Sequence, residues 1–280
     1  GYPIESLAEP STFEETALLL LDGRLPTAPE LAQFDDQLRT NRRVKYNIRE
    51  MMKSLPPDGH PMEMLQTAVA SLGMFYPGTE GLTGSDVGHN LDYVHSMTVK
   101  IIARMATLVA MWEHIRNGYD PIPPRTDLTY AENFLYMMTG KEPDPFHASI
   151  MDTCLVLHAE HTINASTFAA LVAGSTLAAP NGVIASAIGT LSGPLHGGAN
   201  QRVVEMLQEI GAPAHAQPWV DKQLAAKAKI WGMGHREYKV KDPRAVILQK
   251  LVEKPAAHTG GNLSPLFETA LKVEPVAAER

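Results

Sequence analysis

Two histidines in this chain sit in glycine-rich surroundings. His196 lies in Gly193-Pro194-Leu195-His196-Gly197-Gly198-Ala199-Asn200. His235 lies in Met233-Gly234-His235-Arg236-Glu237-Tyr238-Lys239, with Asp242-Pro243-Arg244 close behind. A glycine beside a histidine lets backbone and ligand approach where a Cβ would clash. Two such sites, with an arginine able to fork onto a carboxylate, point to acid–base chemistry on an anionic substrate. In the first loop Pro194 sets one torsion, and Gly197-Gly198 are expected to free the next ones. The segment Ala199 to Ile210 that follows reads as a helix. The positive end of a helix dipole disfavours imidazolium, so a histidine there is suited to donate, as neutral imidazole, to a developing enolate oxygen. A turn histidine in a structural glycine loop is the plain alternative.

From Trp231 to Arg244 the chain offers a second kind of chemistry. Gly232 and Gly234 expose backbone N–H groups, and Arg236, Lys239 and Lys241 add three cations suited to phosphates. Asp242-Pro243 reads as an N-cap with proline at the first helical position, so Asp242 is a cap rather than a base and Arg244 falls in the first turn. A solvated basic face is the competing reading. Further upstream, Leu157-His158-Ala159-Glu160-His161 spaces two histidines at i, i+3, on one face if helical. A zinc-protease pattern needs i, i+4 with glutamate after the first histidine, so no metal is expected here. The open readings are a buried polar pair or a histidine that hydrogen-bonds a carboxylate or carbonyl ligand. His60, His89, His95, His114, His147, His215 and His258 have no comparable setting.

The elements that must position these residues read as helices. Ser11-Thr12-Phe13-Glu14 is a capping-box pattern before an apolar run that stops at Asp22-Gly23, and Thr27-Ala28-Pro29-Glu30 repeats it. His60-Pro61 opens a segment with Met62, Leu65, Val69 and Leu72 at helical spacing. Met97 to Ile115 reads as a long, mostly buried helix, and Thr129 to Met138 as one ending at Gly140. Alternating strand patterns are scarce, so the fold class is all-α. Residues 164–192 are rich in Ala, Gly, Ser and Thr, and Pro180-Asn181-Gly182 is expected to break them into two pieces too short to span a membrane comfortably. Two helices buried in the core or in a subunit interface are expected instead. A domain boundary is expected near residue 195, with a large helical domain over 1–195 and a smaller one over 196–280.

Composition limits the partners. Hydrophobic residues make up 44% and charged residues 20%, a globular balance. The net charge of -7 gives nothing global to attract nucleic acid or an acidic membrane, so an anion must be held by local cations. The one cysteine, Cys154, rules out a disulfide within the chain and fits a reducing cytoplasm; its apolar neighbours suggest an inert buried thiol. Nothing at the start resembles a signal peptide. The chain opens at Gly1 without Met, so its natural start is expected upstream.

Taken in order, the segments resemble citrate synthase of the type II-like bacterial branch. The likeness runs through Gly1-Tyr2-Pro3-Ile4, Ser11 to Glu15, His60-Pro61-Met62, Asp127 to Ala131, Asn133-Phe134-Leu135, Leu157 to His161, Asn164 to Phe168, Gly193 to Asn200, and Gly234 to Ala245. At 160–162 the chain reads Glu-His-Thr where many members have Asp-His-Glu. The resemblance implies a homodimer, or a higher homo-oligomer, of two-domain helical subunits. Each would join acetyl-CoA to oxaloacetate and hydrolyse citryl-CoA, with no metal or cofactor, and small-domain closure would exclude water. By matching position, His196 would donate to the thioester oxygen and His235 would hydrogen-bond and protonate the oxaloacetate carbonyl. His161 and Arg244 would also bind oxaloacetate. Gly232, Met233, Gly234, Arg236 and Lys239 would bind CoA, and Ser166 would orient His196 from behind. The family's base is an aspartate in an Asn-Val-Asp-Phe-like segment, which 1–280 does not contain. That aspartate and two further substrate-binding arginines are expected beyond Arg280, in a mobile part of the small domain. Three related readings stay open: 2-methylcitrate synthase using propionyl-CoA, an inactive CoA-binding or assembly homologue, and a citryl-CoA lyase module. The last would normally be fused to a nucleotide-binding portion, and no such signature is apparent.

Overall fold

A computed structural model describes residues 1–76, 82, 84–234, 240–259 and 264–278. The fold is all-α, and no strand occurs among the described residues. The chain divides into two compact units, Gly1–Ser192 and Gly193–Arg280. The first holds α1 (Ile4–Leu7), α2 (Phe13–Asp22), α3 (Ala28–Asn41), α4 (Tyr46–Lys53), α5 (Pro61–Phe75), α6 (Val87–Arg116), α7 (Tyr130–Thr139), α8 (Pro145–His158), α9 (Ala165–Gly174) and α10 (Pro180–Leu191). The second holds α11 (Ala199–Ile210), a short 3-10 turn (Pro213–His215), α12 (Ala216–Ala225), α13 (Pro243–Thr259) and α14 (Pro265–Ala278).

The first unit is organised around α6, which feeds two apolar clusters. One face carries Val99, Ala103, Ala106 and Ala110 against α2, α3 and α7, with Phe34, Leu38, Tyr130 and Met137 filling the space between them. The other face sends Leu108 and Trp112 into a cluster with Ile48, Met52, Val69, Leu72 and Ile188, from α4, α5 and α10. Small residues on one side let helices approach, and bulky ones on the other fill volume, so both faces reach close packing. α6 is long and apolar enough to cross a membrane by length and composition, but half of its most apolar stretch is buried within the protein. It begins at Val87, ten residues before the expected Met97, because the Asp86 side chain accepts from His89 N and extends the start.

Helix starts are met by side chains, both near and far. The cap of α2 is Thr12, whose Oγ1 accepts from Glu15 N, rather than Ser11. Ser11 donates instead to Glu15 Oε2. At α3 the box forms as expected, with the Glu30 carboxylate accepting from Thr27 N. The starts of α2 and α7 also draw on partners across the fold. Asp152 on α8 accepts from Phe13 N at 3.1 Å, and Glu14 on α2 accepts from Tyr130 N at 2.8 Å. Arg42, only 1% exposed, donates through Nη1 to Arg125 O and Leu128 O and pins the loop before α7. Burial lowers its guanidinium pKa.

Pro180 opens α10 rather than ending a helix. Its missing N–H costs nothing at the first helical position, so the break falls at 175–179. α10 buries Asn181, Ala185 and Ile188, and Asn181 Nδ2 donates to Val69 O on α5. α9 buries none of its residues and exposes Phe168, Leu171 and Val172 by more than half. Core placement therefore holds for α10 and not for α9. Cys154 is half-buried rather than buried, and desolvation raises its thiol pKa.

Burial, with Glu14 adding repulsion, raises the Asp152 pKa from 3.8 to about 6. The folded state therefore favours the protonated acid. The stability this contributes is complete below the unfolded value of 3.8 and is lost as pH rises through about 6. Asp152→Asn should melt higher than the parent at pH 7.5, with the gap closing toward pH 4. A pH-independent difference in melting temperature would exclude this origin.

Candidate active site

The His196 loop is a run of tight turns leading into α11. His196 N and Gly198 N both donate to Gly193 O, at 2.9 and 3.2 Å, and Ala199 N donates to His196 O at 3.0 Å. His196 is half-buried, two residues before the α11 cap Gly198. Gly198 sits at φ -60° and ψ -11°, and neither Gly197 nor Gly198 takes positive φ. The expected torsional use of these glycines is thus corrected: the turns are right-handed because they run straight into a right-handed helix. α11 is anchored by Met206, Leu207 and Ile210, packed with Ala216, Val220 and Ile230 and with Val273 of α14.

The turn at 230–234 is where glycine is required by conformation. Gly232 and Gly234 have φ of 85° and 73°, in the left-handed region that penalises a Cβ. A Cβ on Gly232 would also lie 3.3 Å from Val203 Cγ2 on α11. The turn at Gly232 therefore rests on the helix that His196 precedes. Met233 packs against the same core, and Lys229 Nζ stands 4.1 Å over the Trp231 ring.

Arg244 lies in the first turn of α13, as expected, and Asp242 accepts from its backbone N–H at 2.9 Å. Asp242 also holds the guanidinium, with Nε at 3.1 and 3.2 Å from the two carboxylate oxygens and Nη2 at 2.7 Å from Oδ2. Sequence reasoning found the cap and missed this fork. Lys241 bonds to Glu274 at 2.6 Å and to Gln249 at 2.8 Å, which ties it to the fold more than to a phosphate. His235, Arg236 and Lys239 lie outside the described residues.

In the first unit, α8 ends at His158, whose Nδ1 contacts Cys154 O. His161 follows beyond the helix, so the two histidines do not share a helical face; α8 ends at His158 with Ala159 as its cap. His161 is half-buried, and the next residue, Thr162, has φ 55°. A β-branched residue in the left-handed region is strained, and such strain clusters at functional sites. Thr162 N donates to the Glu160 carboxylate, and Asn164 caps α9 by accepting from Thr167 N. Ser166 stands half-buried in the first turn of α9. No composition signal marked Thr162, because its strain exists only in the folded loop.

The family model described as citrate synthase, C-terminal domain, matches residues 1–280. A citrate synthase from Acidithiobacillus ferridurans is 59% identical over 280 residues, covering 100% of this chain and 72% of that protein. A 2-methylcitrate synthase from Mycobacterium tuberculosis is more distant, 39% identical over 254 residues, 91% of this chain and 62% of that protein. Among solved structures, the citrate synthase of Thermoplasma acidophilum, in a ternary complex with carboxymethyl coenzyme A and oxaloacetate, superposes with a TM-score of 0.90. It is 28% identical, and the match covers 100% of this chain and 71% of that one. A family match over the whole length, a close relative and a shared backbone agree with the histidine loops, and the chain belongs to the citrate synthase family.

Proposed function

We propose that the two glycine-bordered histidines divide the citrate synthase reaction between them. The enzyme condenses acetyl-CoA with oxaloacetate and hydrolyses citryl-CoA to citrate and CoA. In our reading, a carboxylate base takes a methyl proton from acetyl-CoA, and negative charge moves onto the thioester oxygen. His196 donates a hydrogen bond to that oxygen and stabilises the enol. The enol carbon then attacks the oxaloacetate ketone, while His235 protonates the ketone oxygen. His161 and Arg244 hold oxaloacetate, and Arg244 engages a carboxylate. Gly232, Met233, Gly234, Arg236 and Lys239 take the CoA, and Ser166 orients His196.

The observation that carries this reading is the juncture at α11. A half-buried histidine in a loop fixed by two hydrogen bonds to Gly193 O precedes it, and the left-handed glycine turn packs on its flank. Such a donor needs little rearrangement when charge appears, which is how a preorganised site lowers a barrier. The complex of the Thermoplasma acidophilum relative with a CoA analogue and oxaloacetate supports the same substrates here.

The homodimer is proposed from α9. Phe168, Leu171 and Val172 are 62%, 56% and 55% exposed, an apolar face that a second subunit would cover. A cytoplasmic setting suits the single free thiol, Cys154.

His196→Ala should lower kcat by roughly 10²–10³-fold, the cost of losing one oxyanion donor. His235→Ala should cost about 10²–10⁴-fold, as for a positioned acid. Near-parental turnover by either would remove that histidine from its role. Acetyl-CoA should give a higher kcat/KM than propionyl-CoA, and the reverse order would favour 2-methylcitrate synthesis. Phe168→Glu should convert a dimer to monomers by light scattering, and an unchanged mass would place the interface elsewhere.

A further inference from the structure

We propose that Asp242 is a positioning residue for oxaloacetate: it aims the Arg244 guanidinium that receives the substrate carboxylate. This rests on the reading of Arg244 as an oxaloacetate ligand. Asp242 performs two tasks with one carboxylate. Oδ1 accepts the Arg244 backbone N–H at 2.9 Å and so caps the start of α13. The same carboxylate grips Nε at 3.1 and 3.2 Å and Nη2 at 2.7 Å, a side-on fork onto the guanidinium. Both side chains are 24% exposed, so the pair is partly withdrawn from water and weakly screened.

The spacing brings the two side chains together within one helical turn. Pro243 fixes φ between the two residues and starts the helix, and Arg244 takes its place in the first turn. The acid and the base of the pair are therefore set by one short piece of backbone. An arginine side chain has many rotamers, and immobilising it on binding weakens affinity. Asp242 does this immobilising before substrate arrives. A lysine in place of Arg244 would lose the planar fork toward both carboxylates.

The cap and the fork are separable. Asp242→Asn keeps an oxygen that can accept the Arg244 N–H, but loses the charge-assisted grip. In the full-length enzyme, Asp242→Asn should raise the oxaloacetate KM about tenfold, the scale of a lost charged hydrogen bond. The acetyl-CoA KM should change less than about twofold, because that substrate does not meet the pair. Arg244→Gln should weaken oxaloacetate binding by calorimetric titration, and adding Asp242→Asn to it should weaken binding no further. That non-additivity is the signature of action through Arg244. If Arg244→Gln weakens oxaloacetate binding while Asp242→Asn does not, the positioning role is overturned and Arg244 keeps its place. If Asp242→Asn costs as much in the Arg244→Gln background as in the parent, or tightens binding, Asp242 acts otherwise and the inference fails. An Arg244→Gln variant with parental oxaloacetate affinity would overturn the assignment of Arg244 itself. Asp242→Glu, which keeps the charge on a longer arm, should recover part of the affinity; no recovery would count against the charged grip.

Discussion

Every helix begins with backbone N–H groups that its own carbonyls cannot reach, and a fold made of helices must answer that demand repeatedly. Here the answers connect the structure. Asp152 of α8 meets the start of α2, and Glu14 of α2 meets the start of α7, so three helices are joined end to flank. These bonds lie in partly or fully buried surroundings, where an unmet donor would be costly. They also bring two carboxylates near each other, which adds to burial in making Asp152 titrate well above an ordinary aspartate. Stability and acidity at this junction have the same cause.

The same constraint operates at the candidate site. Asp242 answers the start of α13, and in doing so holds the guanidinium that follows. The turns around His196 close on Gly193 O and deliver the chain into α11. Packing of Met206, Leu207 and Ile210 fixes α11, and Gly232 is pressed against Val203 on that helix. Rigid elements hold donors more accurately than free loops do. Helix starts therefore serve both as structural necessities and as places where reactive groups can be held at low cost.

Much of this was legible beforehand. The starts at Thr27, His60, Thr129 and Asp242-Pro243 are local patterns, and the structure uses each of them. The order of segments from Gly1 to Ala245 also pointed to the family. Three points depended on chain path and packing rather than on local pattern. Gly197-Gly198 look like torsional release but take right-handed turns, since they flow into a helix. His158 and His161 look like one helical face, but α8 stops between them. α9 is expected in the core or in a subunit interface; it lies outside the core of its own chain, and composition cannot say which surface of a helix that chain will cover.

The sequence by itself determined what depends on neighbours a few positions apart: helices and many of their caps, the all-α class, the glycine-flanked histidines and the family they belong to. Propensities and caps act over a single turn, so they survive in one dimension. Only the tertiary structure decided that Asp152 serves Phe13 across 139 positions, and that Glu14 serves Tyr130 across 116. It alone placed Thr162 in a strained conformation beside His161 and turned Asp242 from a cap into a clamp. Those features arise from which surfaces pack together, and burial gives them their strength; neither is written in local spacing.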